Sequence, residues 1–303
     1  MLTVYPKKDR KFSVAIIGAG RIAHSLIPQL KKAGLDVKII ISRTNQKAKE
    51  IASKYSVKYS GNNYNLLTLP IDLVLIAVND SEIKKVAQKI SKLKISFDKI
   101  LFVHLSGSKT SDELNSLKKK GGLTASFHIM QTFPSFKPVS IKNCYAAIET
   151  QNKYAKDFLM KLAREMNLKA FQINPQEKIG YHLLGVYASN FLSSNFYVEE
   201  ILEKNDLIKI SFAKEFMIKI AQQTLDNIKN RDVKNSISGP IVRRDIETIK
   251  AHINFLRKNK ILLMHYLTSS VILLHAVEND KTTPDKNLRE IKNYLLKQLR
   301  KLY

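Results

Sequence analysis

The sequence predicts an α/β fold with a doubly wound parallel sheet, followed by an all-helical C-terminal domain. Short apolar runs alternate with amphipathic helical runs through the first half of the chain. A glycine-rich turn joins the first apolar run to the first helical run. From about Pro175 the strand-like runs stop and long helical patterns follow. We therefore assign residues 1–174 to the α/β domain and residues 175–303 to the helical domain.

Six runs in the first half have the composition of strands buried on both faces, because apolar and β-branched residues fill them. They are residues 12–17, 37–42, 72–78, 99–106, 123–130 and 145–149. The helical patterns between them cover residues 21–33, 46–55, 81–93 and 110–120. Right-handed crossovers then place helices on both faces of one sheet.

The second half is predicted to form five helices. They cover residues 175–203, 206–229, 243–258, 260–277 and 285–302. The run 261–277 is borderline in length for a membrane span and contains two histidines, two serines, a tyrosine and a threonine. We expect a buried core or interface helix there, no membrane association, and a cytoplasmic location.

The net charge of +25 raises the question of nucleic-acid binding. Residues 1–150 carry 25 basic and 10 acidic side chains, and the remainder carries 26 and 16. Because this excess is spread along the chain, we attribute it mainly to composition and expect no nucleic-acid partner. The single cysteine, Cys144, excludes a disulfide framework. The scattered histidines lack metal-site spacing, so no metal is expected.

The segment Gly18–Ala23 reads G-x-G-x-x-A directly after a predicted strand and at a predicted helix start. Gly18 permits a tight turn, Gly20 lets a pyrophosphate approach the backbone, and Ala23 allows close packing of helix on strand. Free N–H groups at the helix N-terminus, from Arg21 and Ile22 onward, suit an anion. The pattern predicts a dinucleotide site of the Rossmann type.

The end of the second strand indicates which dinucleotide binds. An NAD site usually carries Asp or Glu there, whereas this chain has Ser42, Arg43 and Thr44, with Lys47 one turn on. A hydroxyl beside a guanidinium suits a 2′-phosphate through charge-assisted hydrogen bonds. Asp36 precedes the strand, at its wrong end. We therefore expect NADPH rather than NADH.

Two further strand ends carry polar residues. Asn79 follows the run 72–78, where it either contacts the cofactor or forms a turn and helix cap. Ser106 ends the run 99–106 and Gly107 follows it. We expect both residues near the nicotinamide or the substrate. His104, inside the same apolar run, is expected to be a core histidine.

Five segments resemble one family of Rossmann-like oxidoreductases, in which an NADP-binding domain precedes a helical domain of poorly defined function. The segments are GAGRIA (18–23), VHLSGS (103–108), SFHIMQTF (126–133), KIGYHLLGVYASNF (178–191) and SGPIVRRD (238–245). The family is distantly similar to pyrroline-5-carboxylate reductase and the β-hydroxyacid dehydrogenases. The resemblance implies an NADP-dependent reductase that forms a homodimer through its helical domain.

The chain departs from the family pattern at three positions. Ile129 follows His128 where the family usually has proline, Arg244 stands in place of a usual glycine, and Ser238 in place of threonine. These changes leave the polar groups of the segments in place.

His128 is expected to emerge at the ligand edge of the sheet, where a neutral imidazole either relays a proton to the reduced bond or serves a structural role. Gln131, and Thr132 beside it, are weaker candidates that bond either to substrate or to the backbone. Arg243 either clamps a substrate anion or pairs with an acid such as Asp245.

Lys178 and His182 lie four residues apart and share one helix face, and Gly185 and Ser189 return to it at 100° per residue. The related dehydrogenases carry a lysine and an amide residue four later on the equivalent helix. By that resemblance Lys178 and His182 serve proton transfer; otherwise they face solvent. Asn190 lies on another face and is expected to bond across helices or to the cofactor carboxamide.

These residues together predict an NADPH-dependent oxidoreductase that transfers a hydride to a small carbonyl or imine at a cleft between the domains. The alternative is a non-catalytic NADP-binding sensor or scaffold. Neither the substrate nor the direction of the reaction follows from the sequence.

Overall fold

The computed structural model describes residues 11–278 and 285–302. They divide into two compact units, the first of which ends at Phe191 and the second of which begins at Leu192. The predicted boundary at 174/175 marks the end of the strands, whereas the first unit continues to Phe191. The helix that begins at Lys178 remains in the first unit because the Lys178 side chain is buried against the sheet.

The first unit is built on one eight-stranded sheet in the order β3-β2-β1-β4-β5-β6-β7-β8. The strands are β1 Ser13–Ile17, β2 Asp36–Ile41, β3 Tyr59–Gly61, β4 Leu73–Ile76, β5 Leu101–His104, β6 Leu123–Ile129, β7 Tyr145–Glu149 and β8 Lys169–Gln172. Neighbouring strands are parallel except β6 and β7. The predicted doubly wound fold is confirmed.

The helices of this unit cover both faces of the sheet. They are α1 Arg21–Lys32, α2 Asn45–Lys54, α3 Asp80–Ile90, α4 Asn115–Lys118, α5 Lys153–Glu165 and α6 Lys178–Gly185. Two separate apolar clusters, one on each side of the sheet, form the core. Burial of both faces explains why the strands read as continuous apolar runs.

The structure differs from the prediction in two strands and in two helical patterns. The short strands β3 and β8 lack a long apolar run, and we did not predict them. The predicted helix 110–120 is a 3₁₀ turn, Ser111–Leu114, followed by the short α4. The pattern 175–203 is a 3₁₀ turn, then α6, a π-helical segment Val186–Phe191, and a further α-helix.

The second unit is helical, as expected. Its helices are α7 Leu192–Lys204, α8 Ala213–Asn230, α9 Val233–Ser236, α10 Pro240–Arg243, α11 Ile246–Leu256, α12 Lys260–Glu278 and α13 Lys286–Arg300. Its core is one apolar cluster to which α10 to α13 contribute most of the buried side chains. Predicted helix 206–229 begins at Ala213, and predicted helix 243–258 begins at Ile246.

The helix α12 is, among the described residues, the one helix long and apolar enough to cross a membrane, with a mean hydropathy of 1.5. Five of its residues are buried in the helical unit: Leu262, Leu263, Leu267, Ser270 and Leu274. This packing agrees with the expected core helix, although Ile261 and Ile272 remain exposed.

Arg244 has a left-handed backbone, with φ of +58°. Glycine adopts this conformation without the steric cost that a side chain adds, which explains the usual family residue. Here the Arg244 guanidinium donates to Val242 O and pairs with Asp285 at 2.9 Å. These contacts offset the local strain.

Candidate active site

The glycine-rich turn joins β1 to α1 at the carboxyl edge of the sheet. Gly18 has φ of +119°, and a Cβ there would lie 2.1 Å from the carbonyl oxygen of Ala77. Gly20 differs, because a Cβ there would meet nothing within 4 Å. Gly20 is also the N-cap of α1, whose first turn contains no acidic residue and receives no side-chain cap. The open backbone N–H groups therefore suit an anionic pyrophosphate.

A cleft of about 460 Å³ lies beside this turn. The predicted cofactor residues that line it are Gly18, Gly20, Ser42, Arg43, Thr44, Lys47 and Asn79. Asn79 is the N-cap of α3 by position, but its side chain makes no cap hydrogen bond. Asp36, expected to precede the strand, is the first residue of β2, and it lies at the opposite end of that strand from Ser42, as expected.

Three predicted cofactor residues at the start of α1 do not line the cleft. Ala23 is fully buried, Ile22 packs against the core, and Arg21 is exposed. They form the first turn of α1 and support the cleft through its backbone.

The sequence did not indicate one wall of the cleft. It comes from α3, through Glu82, Lys85 and Lys89, and from Phe136 in a distant loop. Lys85 pairs with Glu82 at 2.7 Å. The α3 lysines are spaced like ordinary solvent-facing residues, so only the fold shows that they face the dinucleotide turn. Together with Arg43 and Lys47 they make the cleft strongly basic, which fits a phosphorylated cofactor.

Lys178 is fully buried. Its Nζ donates to Ser126 Oγ at 2.6 Å and to the carbonyl oxygen of Ser106 at 3.2 Å. Burial lowers the pKa of Lys178 to about 8, although the charges of Glu149 and Asp80 oppose that shift. Lys178 therefore carries a buried positive charge at neutral pH, and it does not face solvent.

His128 is the penultimate residue of β6 and lies at the carboxyl edge of the sheet, as predicted. Its Nδ1 lies 3.0 Å from the hydroxyl of Tyr181. Burial, followed by the charge of Lys178, lowers the pKa of His128 to about 4. The imidazole is therefore neutral at neutral pH.

His182 meets His128 across Gly107. The two imidazole centroids are 6.1 Å apart. A Cβ on Gly107 would lie 2.7 Å from His182 Cδ2 and 2.9 Å from His128 Nε2. Both predicted histidines therefore converge on the buried backbone of Gly107, which lies directly after Ser106.

Asp80 connects this cluster to the cofactor cleft. Its Oδ2 accepts hydrogen bonds from Ser106 Oγ at 2.7 Å and from Ser108 Oγ at 2.9 Å. Ser106 Oγ also accepts from the backbone N–H of Lys109 at 3.0 Å. The Ser106 hydroxyl thus holds its own loop. The sequence did not indicate this role of Asp80, because its loop partners are far away in the chain.

His104 is a core histidine, as expected. It is fully buried, and its Nδ1 accepts from the Ser106 N–H at 3.2 Å. Its Nε2 therefore donates to the carbonyl oxygen of Thr110, at 2.9 Å. His104 thus stabilises the loop between Ser106 and Thr110 from within the core.

The remaining predicted residues are placed elsewhere. Gln131 donates to the carbonyl oxygen of Ser140 at 3.1 Å and accepts from the Thr132 N–H at 2.8 Å, so its amide holds a loop. Asn190 is exposed in the π-helical segment. Arg243 is exposed in the second unit, where Asp245 instead caps α11 by accepting from Thr248.

The face predicted for α6 continues only as far as Gly185. There a Cβ would lie 2.6 Å from Met130 Sδ, so a side chain, and not a ligand, makes the close approach. Beyond it the π-helical turn takes more residues per turn than an α-helix. Ser189 therefore does not follow the 100° spacing from Lys178.

Two parts of the chain match known protein families. Residues 13–101 match a family described as NADP oxidoreductase, coenzyme F420-dependent, and residues 144–270 match a domain of unknown function, DUF2520. No curated protein matches the chain.

Solved structures with the same fold cover nearly the whole chain. A candidate NADP oxidoreductase from Bacteroides fragilis is 23% identical, with a TM-score of 0.72 over 87% of this chain and 98% of that one. A Thermotoga maritima protein is 24% identical, with a TM-score of 0.65 over 88% and 99%. Pyrroline-5-carboxylate reductase from Streptococcus pyogenes is 16% identical, with a TM-score of 0.58 over 93% and 99%.

These findings confirm the resemblance seen in the sequence, including the expected NADP cofactor. The chain is an NAD(P)-dependent oxidoreductase, in which residues 13–101 match the NADP oxidoreductase family and residues 144–270 match DUF2520.

Proposed function

We propose that this protein is an NADPH-dependent reductase of a small carbonyl or imine compound, with His128, Lys178 and His182 as its active-site residues. One observation carries the proposal. A continuous set of contacts leads from Asn79 in the cofactor cleft, through Asp80 and the Ser106 loop, to the paired histidines at Gly107. When bound, NADPH supplies the hydride.

In this proposal His128 holds the oxygen or nitrogen of the reduced bond. It is neutral at neutral pH, and its Nε2 lies against Gly107, on the side that His182 also faces. A neutral imidazole with an N–H directed at a carbonyl polarises it as hydride arrives. His182 closes the other side of the same pocket and orients the substrate.

Lys178 contributes through its charge. Because the ammonium is fully buried and bound to Ser106 and Ser126, it does not touch the substrate in this arrangement. A positive charge in a poorly solvated site stabilises negative charge that develops on a nearby oxygen. Burial, and after it the Lys178 charge, lowers the pKa of His128 and keeps its imidazole neutral.

We also propose a homodimer formed through the helical unit. The helix α8 has 18 residues, of which only Ala213 is buried. Large apolar side chains occupy much of its circumference: Phe216, Ile218, Ile220, Leu225 and Ile228. A broad apolar face left exposed on a single chain marks a partner surface, and the resemblance points to a second copy.

We also propose that the protein is located in the cytoplasm. The single cysteine, Cys144, is compatible with a reducing compartment. The fold resembles that of soluble oxidoreductases.

Replacement of His128 by alanine should lower turnover about 100-fold or more, because the group that holds the reduced bond is lost. NADPH binding should be unchanged. Oxidation of NADPH with a panel of aldehydes, 2-oxo acids and cyclic imines measures turnover, and fluorescence titration measures the cofactor Kd. His252→Ala is the matched control, because His252 also pairs with a tyrosine, Tyr266 at 3.1 Å, but in the helical unit. Full activity of His128→Ala contradicts the assignment.

The kcat of the wild-type enzyme should fall as pH rises through about 8, the pKa of Lys178, because the buried ammonium then loses its charge. Lys178→Met should lower kcat about tenfold or more and remove this alkaline fall. The measurement is kcat from pH 6 to 10 for both proteins. An unchanged alkaline fall in Lys178→Met assigns it to another group.

Gly107→Ala should lower kcat strongly while NADPH affinity is retained, because its Cβ would overlap both imidazoles. Gly180→Ala, in α6, is the control, since a Cβ there meets nothing within 4 Å. Equal kcat values for the two variants would show that the histidine spacing is unimportant for turnover.

Arg43→Ala should raise the Kd for NADPH about tenfold or more and leave the Kd for NADH unchanged, because a charge-assisted bond to the 2′-phosphate is lost. Lys84→Ala removes an exposed cation of α3 that does not line the cleft and serves as control. A wild-type preference for NADH would contradict the cofactor assignment.

Leu225→Lys should convert the dimer to a monomer in analytical ultracentrifugation, because it places a charge on an apolar interface. Leu225 is 55% exposed in the single chain. Gln222→Lys adds the same charge at an exposed polar position of α8 and should remain dimeric. A monomeric wild-type protein at micromolar concentration removes the dimer from the proposal.

A further inference from the structure

Tyr181 lies within the segment 178–191, but the sequence alone assigned it no role beside His128. Its ring packs edge-on against His128, with centroids 5.5 Å apart, and against Phe171 at 5.8 Å. Its hydroxyl lies 3.0 Å from His128 Nδ1. The aromatic contacts fix the ring, so the hydroxyl is directed at one nitrogen of the imidazole.

The chemistry of the two groups sets the direction of this hydrogen bond. A phenol O–H is a strong donor and a weak acceptor, whereas the unprotonated nitrogen of a neutral imidazole is a good acceptor. Within the described part of the chain, the Tyr181 hydroxyl has only Nδ1 as a hydrogen-bond partner. The phenol therefore donates to Nδ1, and the single imidazole proton is on Nε2.

Burial, more than the surrounding charges, keeps both groups in these protonation states. Lys178, His182, Asp80 and His104 are the titratable groups that act on His128, besides Tyr181 itself. Burial and the Lys178 charge hold the pKa of His128 at about 4, and burial raises the pKa of Tyr181 to about 12. The phenol remains a donor, and the imidazole remains neutral, across the physiological range.

We propose that Tyr181 is a positioning residue that holds His128 with its proton on Nε2, which sets this site for reduction of a carbonyl. This rests on the proposed function of His128. An alcohol dehydrogenase requires a base at the same place, with a free lone pair on Nε2. The Tyr181 bond disfavours that tautomer.

The proton transfer balances as follows. As the carbonyl carbon takes hydride, its oxygen takes the Nε2 proton and becomes the alcohol. Nδ1 takes the hydroxyl proton of Tyr181 at the same time, which leaves a phenolate and a neutral imidazole. After the product leaves, Nε2 takes from solvent the one proton that the reduction consumes, and Nδ1 returns its proton to the phenolate. An alkoxide is more basic than a phenolate even with a pKa of about 12 for Tyr181, so the transfer is favourable.

Nitrogen-15 NMR of histidine-labelled protein with NADPH reads the tautomer directly. The signal of His128, identified by its loss in His128→Ala, should show a protonated Nε2 and an unprotonated Nδ1 at pH 7. In Tyr181→Phe the Nδ1 tautomer should become populated. Tyr187→Phe is the control, because Tyr187 is exposed and packs on Phe191. A proton on Nδ1 in the wild-type protein overturns the proposal.

Kinetics give a second, independent measurement. With any carbonyl that the wild-type enzyme reduces, Tyr181→Phe should lower kcat about tenfold or more and leave the NADPH Kd unchanged. Its solvent deuterium isotope effect should fit one transferred proton instead of two. An unchanged kcat overturns the role of Tyr181. If the wild-type enzyme reduces no carbonyl but the tautomer is as stated, the proposed function fails and the assignment of Tyr181 as the group that fixes the tautomer stands.

Discussion

The buried ammonium of Lys178 is the constraint on which the site depends. A buried charge is tolerated only when it is hydrogen-bonded and opposed by charge, and this one has Ser126 Oγ, the Ser106 carbonyl and two nearby acids. These bonds connect the start of α6 to the middle of β6 and to the loop that follows β5. Since Tyr181 and His182 follow Lys178 on the same helix, their positions beside His128 depend on that attachment.

The second requirement is that cofactor and acid–base groups share one edge of the sheet. Parallel strands bring their carboxyl ends together, so Gly18, Asn79, Gly107 and His128 lie along a single edge although they are far apart in sequence. Asp80 links the two parts, because its backbone begins α3 beside the cleft while its carboxylate holds the serine loop. The cofactor cleft and the proposed acid–base groups are therefore connected through the first residue of α3.

Much of the fold could be predicted from the sequence, because strands buried on both faces are strongly apolar and the glycine-rich turn has a narrow geometric requirement. The weak strands β3 and β8 could not, since three or four residues give no clear periodicity. In the site, His128, Lys178, His182 and Gly107 were indicated by motif and resemblance. Asp80, Tyr181 and the basic wall of α3 were not, because their importance comes from partners that only the folded chain brings close.

Helix α6 also bears on how this enzyme can diverge. Lys178, Tyr181 and His182 face the sheet, and Gly185 lies against Met130, whereas Ile179, Leu183 and Leu184 point outward and are exposed. Substitutions on the inner side disturb several partners at once, while those on the outer side leave the histidines in place. Selection can therefore remodel the outer surface of this helix, with its contacts to other molecules, independently of the proton chemistry on its inner side.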